Sequence, residues 1–539
     1  MGLDLSTQGL TAVVIDLRGS GILRFAINFD DCFPVYKTKD GVLQNDDPTV
    51  VHSVPKMWAD AVDSMLLILK KKKLSPKIES ISVSAQQHGT VYLNDTAATC
   101  LRQLDPSRPL ASQTSNIFSR STAPVWMDLS TAKECQEITE LLGDREHAAH
   151  LTGSIVTARF MGPQIRKFWK ESPDKYHQTA HIALVSSYIT SLLTGKLSPV
   201  DTGDGFGTNL ANVKTGKWSR EALRATAPKL YAKLPRIVRR DKVVGKVSPY
   251  LVQRYRFKPD TIINIGSGDN PNSLVGLGMI GDSSKKAISL GTSDTYFGYL
   301  SRLPTAERSE GHIFGTANGK YMALNCHKNG SLAREHIKNR FGLSWDEFSD
   351  VLSRTRPGNG GKIMLPFFAP EITPPVAKSQ VWRFGGLRED DMAANVRGVA
   401  EGQIISMYVH SEWIGKRPQI ILVTAGGSQN RELLRLIAQI FNAGVQTFEL
   451  EDSAALGAAI RSARLLQQCR GFTPSWGELY EKFIKYQKAE ALSPEKEHQP
   501  IYHGPNGLID AYKSCERYAL EGGVKPDAII AQFKEVYGR

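Results

Sequence analysis

The sequence predicts two α/β domains facing each other across a cleft, and three observations carry that prediction. The first is length: 539 residues exceed what one ordinary hydrophobic core organises, so two large domains are expected. The second is a pair of glycine-turn hairpins, Gly2-Leu3-Asp4-Leu5-Ser6-Thr7-Gln8-Gly9 and Ile288-Ser289-Leu290-Gly291-Thr292-Ser293-Asp294. In each, an apolar strand enters a Gly/Ser/Thr/Asp turn and continues into a second strand. The third is that each half then repeats one order, a helix followed by a strand that ends in a polar, glycine-containing turn. Such turns expose backbone N–H groups and small hydroxyls with no Cβ in the way, which suits them to phosphate oxygens. One hairpin of this kind says little. A matched pair suggests two related domains gripping a polyphosphate from both sides.

The first domain opens with a predicted antiparallel meander at 2–5, 12–16 and 22–28. A polar loop over 33–47 leads to a helix at 57–69 and a strand at 78–84 that ends in Gln86-Gln87-His88-Gly89. Residues 101–123, rich in Ser, Thr, Pro and Gln, read as a surface excursion. Helical patterns follow at 132–142, 163–170 and 182–193, and the Gly/Asp-rich stretch 199–207 reads as a loop. A basic connector at 235–242 precedes the second half. There a strand at 261–265 runs into Gly266-Ser267-Gly268-Asp269-Asn270 and a helix reaching about 279. Later a strand at 420–424 enters Ala425-Gly426-Gly427-Ser428-Gln429-Asn430, a helix spans 432–442, and an Ala-rich helix spans 453–468. Residues 490–509 are polar and Pro-rich, the pattern of a mobile insert before a final helical tail.

Composition narrows the function classes. Hydrophobic residues at 41% and charged residues at 22% are those of a soluble globular protein, and no apolar run is long enough to span a bilayer. The 67 Lys and Arg against 54 Asp and Glu leave a net charge of +13. These cations are scattered, and the one dense run, Lys70 to Lys73, sits where it offsets a helix dipole. No zinc-finger spacing or RNP-like aromatic motif accompanies them, so neither a nucleic-acid nor a membrane partner is expected. The six cysteines show no C-x-x-C spacing, which points to free thiols in a reducing, cytoplasmic compartment. The first strand begins at Met1, which suggests that a short lead-in precedes it.

The turns carry the chemistry. Phosphoryl transfer to a hydroxyl needs a phosphate cradle, Mg²⁺ and a carboxylate to take the hydroxyl proton. Ser6, Thr7 and Gln8 supply donors from one side and Gly291, Thr292 and Ser293 from the other, while Asp4 is a candidate Mg²⁺ ligand, directly or through water. Asp269 follows an apolar strand and two glycines, so its carboxylate is expected at a strand end facing a crevice, as a general base requires; a helix N-cap is the alternative for that residue. Asn270 beside it suits a substrate hydroxyl. Gly426 and Gly427 let a planar ring lie close to the backbone, with Asn430 in reach of a base or ribose. Neither a Walker A loop nor a G-x-G-x-x-G fingerprint occurs. Gln87 and His88 end a strand where sugar hydroxyls could be bound.

In this order the motifs resemble those of the FGGY carbohydrate kinases, of the sugar kinase–actin–Hsp70 superfamily. They are Asp-Leu-Ser-Thr-Gln at 4–8, Gln-Gln-His-Gly at 86–89, Val-Trp-Met-Asp at 125–128, Arg-Phe-Met-Gly-Pro-Gln-Ile at 159–165, Ser-Pro-Val-Asp with Asp-Gly-Phe-Gly at 198–207, Gly-Ser-Gly-Asp-Asn at 266–270, Leu-Gly-Thr-Ser at 290–293 and Ala-Gly-Gly-Ser-Gln-Asn-Arg at 425–431. The resemblance covers roughly residues 1–465 and implies a ribonuclease H-like, two-domain fold with an interdomain cleft. The division expected is an N-terminal domain at 1–256, a C-terminal domain at 257–465 and a helical tail at 466–539. It further implies an ATP-dependent kinase of D-xylulose with Asp269 as base. Asp4 then serves Mg²⁺, with Asp269 as a further metal contact, and Gly426, Gly427 and Asn430 hold adenosine. Gln87, His88, Arg159, Asp269 and Asn270 line the sugar pocket, with Trp126 and Asp128 as further candidates for that lining. One departure is Arg166-Lys167-Phe168-Trp169 in place of a Lys-aliphatic-x-Trp signature. The rivals are another polyol kinase, acting on ribulose, glycerol or gluconate, and a non-catalytic relative keeping the fold. A monomer or a homodimer is expected.

Overall fold

Alternating apolar residues and tight turns make the first three strands, Gly2–Leu5, Gly9–Ile15 and Ile22–Asn28, an antiparallel meander. In the computed structural model, which describes residues 1–19, 21–304, 310–447, 452–484 and 491–538, this meander is one edge of a larger sheet. The Gly2–Leu5 strand pairs in parallel with Ser80–Ala85, which pairs in parallel with Ile262–Asn264 and, beyond a shift in register, with Ser267–Gly268. Parallel neighbours need a crossover, and the Pro55–Lys71 helix supplies the first one, opened by Pro55 and ending in Lys70 and Lys71.

The second sheet is built the same way. Lys285–Leu290, Asp294–Leu300 and Tyr321–His327 form its antiparallel meander, extended by His312–Gly315. Ile420–Thr424 and then Gly444–Thr447 add in parallel to the Lys285–Leu290 strand. The duplication that is weak in residue identity is therefore plain in topology.

Two helices join the lobes. Asp269–Gly276 and Ser453–Cys469 cross at small residues, and the second of them also lies on the first sheet, its Ala455 and Ala459 backbone against Gly2. The expected division at residue 257 is corrected here. Ile262–Asn264 and Ser267–Gly268 belong to the first sheet, so the first lobe reaches past Asp269, and the Ser453–Cys469 helix returns to it. Both segments are drawn back by the unpaired edge of the Ser80–Ala85 strand and by the apolar face beside it.

Other expectations also change. Within 101–123, Leu110 and Ile117 are buried, and the Leu110–Thr114 helix packs on Pro55–Lys71, because its polar residues face out and its apolar ones in. The pattern read as one helix at 182–193 is a strand, His181–Leu184, followed by the helix Val185–Thr194. The 199–207 stretch is buried and partly regular, with the Thr202–Gly205 turn capped by the Asp201 carboxylate, which accepts from the Asp204 N–H. The segment expected to be a mobile insert is packed over its described part. Leu492 bridges to Val445 at the edge of the second sheet, and buried Tyr502 donates to Glu401 at 2.8 Å. Residue 490 lies outside the described residues. The tail packs in two places: Leu479 and Phe483 join the cluster that links Val13 and Leu274 to Phe297 and Leu422, whereas Tyr512 and Phe533 join the core of the second lobe.

Candidate active site

Strand register assembles the carboxylates. Asp4 is opposite Ser84, and Ser84 is opposite Ser267, so three adjacent strands carry these positions side by side. Asp269 lies just beyond the last of them. Neighbouring strands are about 4.8 Å apart, so Asp4 and Asp269, on either side of the Ser80–Ala85 strand, are anchored about 10 Å apart at the backbone with their carboxylates free to lean together. Burial pushes Asp269 up from 3.8 to about 7, and the Asp4 charge adds to it. Burial also pushes Asp4 up, to about 6. Two buried carboxylates this close, one of them felt by the other, form a centre that accepts a proton or a cation.

Asp269 is not an N-cap, since Gly268 holds that position with no side-chain bond. Its Oδ1 instead accepts from the Asn270 N–H at 2.8 Å and the Asn270 side-chain amide at 2.9 Å. Around it the buried polar atoms Asp4 Oδ1 and Gln87 Oε1 have no hydrogen-bond partner, while Ser84 approaches Asp4 and Ser267 approaches Asp201. Unpaired buried polar atoms are costly, and such a pair at one strand-end edge is the signature of a site that is completed by a ligand. A hard oxygen donor such as Asp4 Oδ1 fits Mg²⁺.

The residues expected around a sugar fall into two groups. His88, with φ of +72°, is buried and stacks on Phe160 at 4.1 Å; its Nδ1 donates to the Gly207 carbonyl at 2.7 Å. A carbonyl can only accept, so Nε2 carries the lone pair, and burial lowers the ring to about 3 and keeps it neutral. Arg159 stands beside both His88 and Cys326, with its buried Nε unpaired. Cys326 pairs with Thr295 on the second hairpin, so Arg159 links the turn that bears His88 to the second lobe. Gln87 is different. Its backbone N–H faces Asp269, but its side chain turns away to the Gly203 carbonyl at 3.0 Å and Asp204 at 3.2 Å. Asp128 is likewise committed elsewhere, accepting from the Val51 N–H, Ser130 and Gln164. Trp126 donates to Thr7 at 2.9 Å and so braces the first hairpin.

The first hairpin closes on itself, with the Ser6 N–H and hydroxyl both donating to the Gly9 carbonyl, while Gln8 reaches Asp40 at 3.4 Å. Across the second lobe, Gly291 and Thr292 line a cleft of about 710 Å³ together with Gly426, Gly427 and Asn430. Ser293 lies in the same turn and is not among the cleft's lining residues. Gly427 has no room for a Cβ, which would sit 2.6 Å from Leu290 Cβ, and Ala425 is held at φ of +65°. Strain of this kind persists where the surroundings overdetermine it. Asn430 caps the Arg431–Phe441 helix, its Oδ1 accepting from Glu432, Leu433 and Ser349, which directs its NH₂ outward as a donor.

Sequence reasoning missed Trp345. Its ring lines the same cleft with 45% of its surface exposed, an apolar face left open beside the glycine turn. An isolated Trp in a helix of ordinary pattern carries no signal in the sequence. Only the fold brings it to Gly426.

Residues 119–276 match the N-terminal domain of the FGGY family of carbohydrate kinases and residues 286–466 match its C-terminal domain. Xylulose kinase 2 of Arabidopsis thaliana is 38% identical over 89% of this chain and 90% of its own length. Xylulose kinase of Mus musculus is 35% identical over 98% and 95%. Among solved structures, xylulose kinase from Lactobacillus acidophilus superposes with a TM-score of 0.79 at 22% identity, covering 97% of this chain and 98% of its own. Gluconate kinase from the same organism gives 0.80 at 21%, covering 99% and 98%.

Proposed function

The chain belongs to the FGGY family of carbohydrate kinases, and we propose that it transfers the γ-phosphoryl group of ATP to the terminal hydroxyl of D-xylulose, with Asp269 as general base. The curated relatives support the choice of sugar, since those at 35–38% identity over most of the chain are xylulose kinases. The observation that carries the chemistry is the approach of Asp4 to Asp269 from either side of the Ser80–Ala85 strand, close enough that the Asp4 charge adds to the rise of Asp269.

In this reading His88, Arg159 and Asn270 orient the sugar, and Asp269 takes the proton of its terminal hydroxyl as that oxygen attacks phosphorus in line. The two hairpins hold phosphate oxygens, and the Gly426-Gly427 turn with Trp345 and Asn430 receives the adenosine. Magnesium, held by Asp4 directly or through water with Asp269 as a further contact, would neutralise charge on the transferred group. Closure of the lobes keeps water from competing with the sugar. Asn270 does double service: its donation to Asp269 fixes the carboxylate's rotamer while its carbonyl remains for a substrate hydroxyl.

A coupled ADP-release screen over ketopentoses and polyols tests the proposal. D-xylulose is expected to give the highest kcat/KM, and a preference for glycerol or a hexonate would overturn the choice of sugar. Asp269→Ala is expected to lower kcat by about 10²–10⁴ with ATP binding retained. Wild-type turnover in that variant would remove Asp269 from the role of base.

A further inference from the structure

Arg461 is among the largest fully buried side chains of the molecule, and it lies on the Ser453–Cys469 helix that crosses between the lobes. Its donors go in three directions. Nε and Nη2 fork onto Asp241 at 3.1 and 2.8 Å, Nη2 also donates to the Ile265 carbonyl at 3.1 Å, and Nη1 donates to Asn272 Oδ1 at 2.8 Å. Asp201 approaches the same guanidinium at 3.9 Å. Ile265 follows the Ile262–Asn264 strand directly before the Gly266-Ser267-Gly268 turn, and Asn272 lies in the first turn of the helix that Asp269 begins.

The bond to Asn272 has a directional consequence. A guanidinium has no acceptor, so Asn272 must show it an oxygen, and the amide NH₂ must then face the other way. There it donates to the carbonyls of Ser267 at 3.2 Å and Gly268 at 2.9 Å, the two residues immediately before Asp269. On its other face the turn packs directly on the Gln87 amide, whose Oε1 a Cβ on Gly268 would meet at 2.0 Å.

We propose that Arg461 and Asn272 are positioning residues for Asp269: Arg461 fixes the Asn272 amide, and Asn272 clamps the turn that aims the carboxylate. The inference rests on the reading of Asp269 as the base. Neither residue touches a reacting atom; each acts through the backbone of 267–268. Misplacing a catalytic group by about 1 Å can cost up to about 10² in rate.

The test uses Asn272→Leu, which keeps the bulk and removes the amide. Asn272→Asp keeps an acceptor for Arg461 but turns oxygen toward the two carbonyls. Arg461→Lys keeps the charge opposite Asp241 without the fork. For each, kcat per nucleotide-binding site, KM for both substrates and melting temperature are measured on the full chain. The expected result is a loss of about tenfold or more in kcat for Asn272→Leu and Asn272→Asp, with both KM values within about threefold and stoichiometric nucleotide binding. A merely structural role lowers the melting temperature and the active fraction and leaves kcat per site unchanged, which would overturn the proposal. If Asn272→Leu does not fold, Arg461→Lys is expected to show the same split, and unchanged kcat there overturns it equally. Asp269→Asn separates the two readings. Turnover retained in Asp269→Asn defeats the base assignment itself; an inactive Asp269→Asn beside a fully active Asn272→Leu defeats only the clamp.

Discussion

Gly457 meets Gly276 backbone to backbone where the two lobe-joining helices cross, and a Cβ on Gly457 would lie 1.8 Å from the Asn272 carbonyl oxygen and 2.9 Å from the Gly276 nitrogen. Gly276 is as tightly placed, its Cβ position lying 1.9 Å from the Ser453 carbonyl oxygen. The Ser453–Cys469 helix thus makes its close approach through small residues, and at Gly457 even a methyl group has no place.

Gly457→Ala is therefore expected to destabilise the protein by about 1–3 kcal/mol, the range for overpacking, because rigid backbone rather than a movable side chain is in the way. Gly477→Ala is the control. It lies in a helix with no close neighbour but Ser475 Oγ at 3.9 Å, and should hold or raise the melting temperature. Thermal melting of the two variants side by side reads the difference, and equal melting would contradict the crossing geometry.

The kcat/KM profile for the sugar should fall on the acid side of about pH 7, where Asp269 takes up a proton and stops accepting one from the substrate. Below that midpoint the slope approaches tenfold per pH unit. A profile flat down to pH 5 would show that no group with this titration limits the reaction.

The same carboxylate carries a stability consequence of defined sign. Its folded pKa of about 7 exceeds the ordinary 3.8, so its contribution is fullest below about pH 4 and is lost as pH rises through 7. The loss amounts to at most roughly 4 kcal/mol. Asp269→Asn removes the buried charge and should melt above the parent at pH 8, with the gap closing toward pH 4. A variant that melts lower at pH 8 would mean that the carboxylate is not penalised by the fold.

Trp345→Ala should raise the KM for ATP by about threefold to tenfold, the worth of one aromatic stack, and leave the KM for sugar unchanged. Indole fluorescence quenched by ATP in the parent and unquenched in the variant would assign the contact. Equal ATP affinity in both proteins would remove Trp345 from the nucleotide site.

The turns announced themselves in the sequence because their chemistry is local. Gly2 to Gly9, Gly266 to Asn270 and Ala425 to Asn430 need glycine, hydroxyl and carboxylate residues in fixed order, and that order is visible in one dimension. The 182–193 pattern was harder to read, since a four-residue apolar strand feeding an apolar helix has no period of its own to mark the join. The buried Leu110 was hidden among polar neighbours. The boundary at 257 failed for a different reason: a strand's lobe is set by which edge it pairs with, and Ile262–Asn264 pairs with a strand far earlier in the chain.

What the sequence determined by itself was the pair of hairpins, the α/β character of both halves and the identity of Asp4 and Asp269 as the carboxylates worth watching, since residue type and short spacing suffice for these. Tertiary structure alone decided which side chains are spent. Gln87 turns to Asp204, Asp128 is taken up in a knot with Gln164, Trp345 comes to the glycine turn, and Arg461 reaches the neighbourhood of Asp269 from the far end of the chain. The physical reason is that a hydrogen bond or a charge acts over a few ångströms of space, whatever the separation in sequence, and only the closed fold fixes those distances.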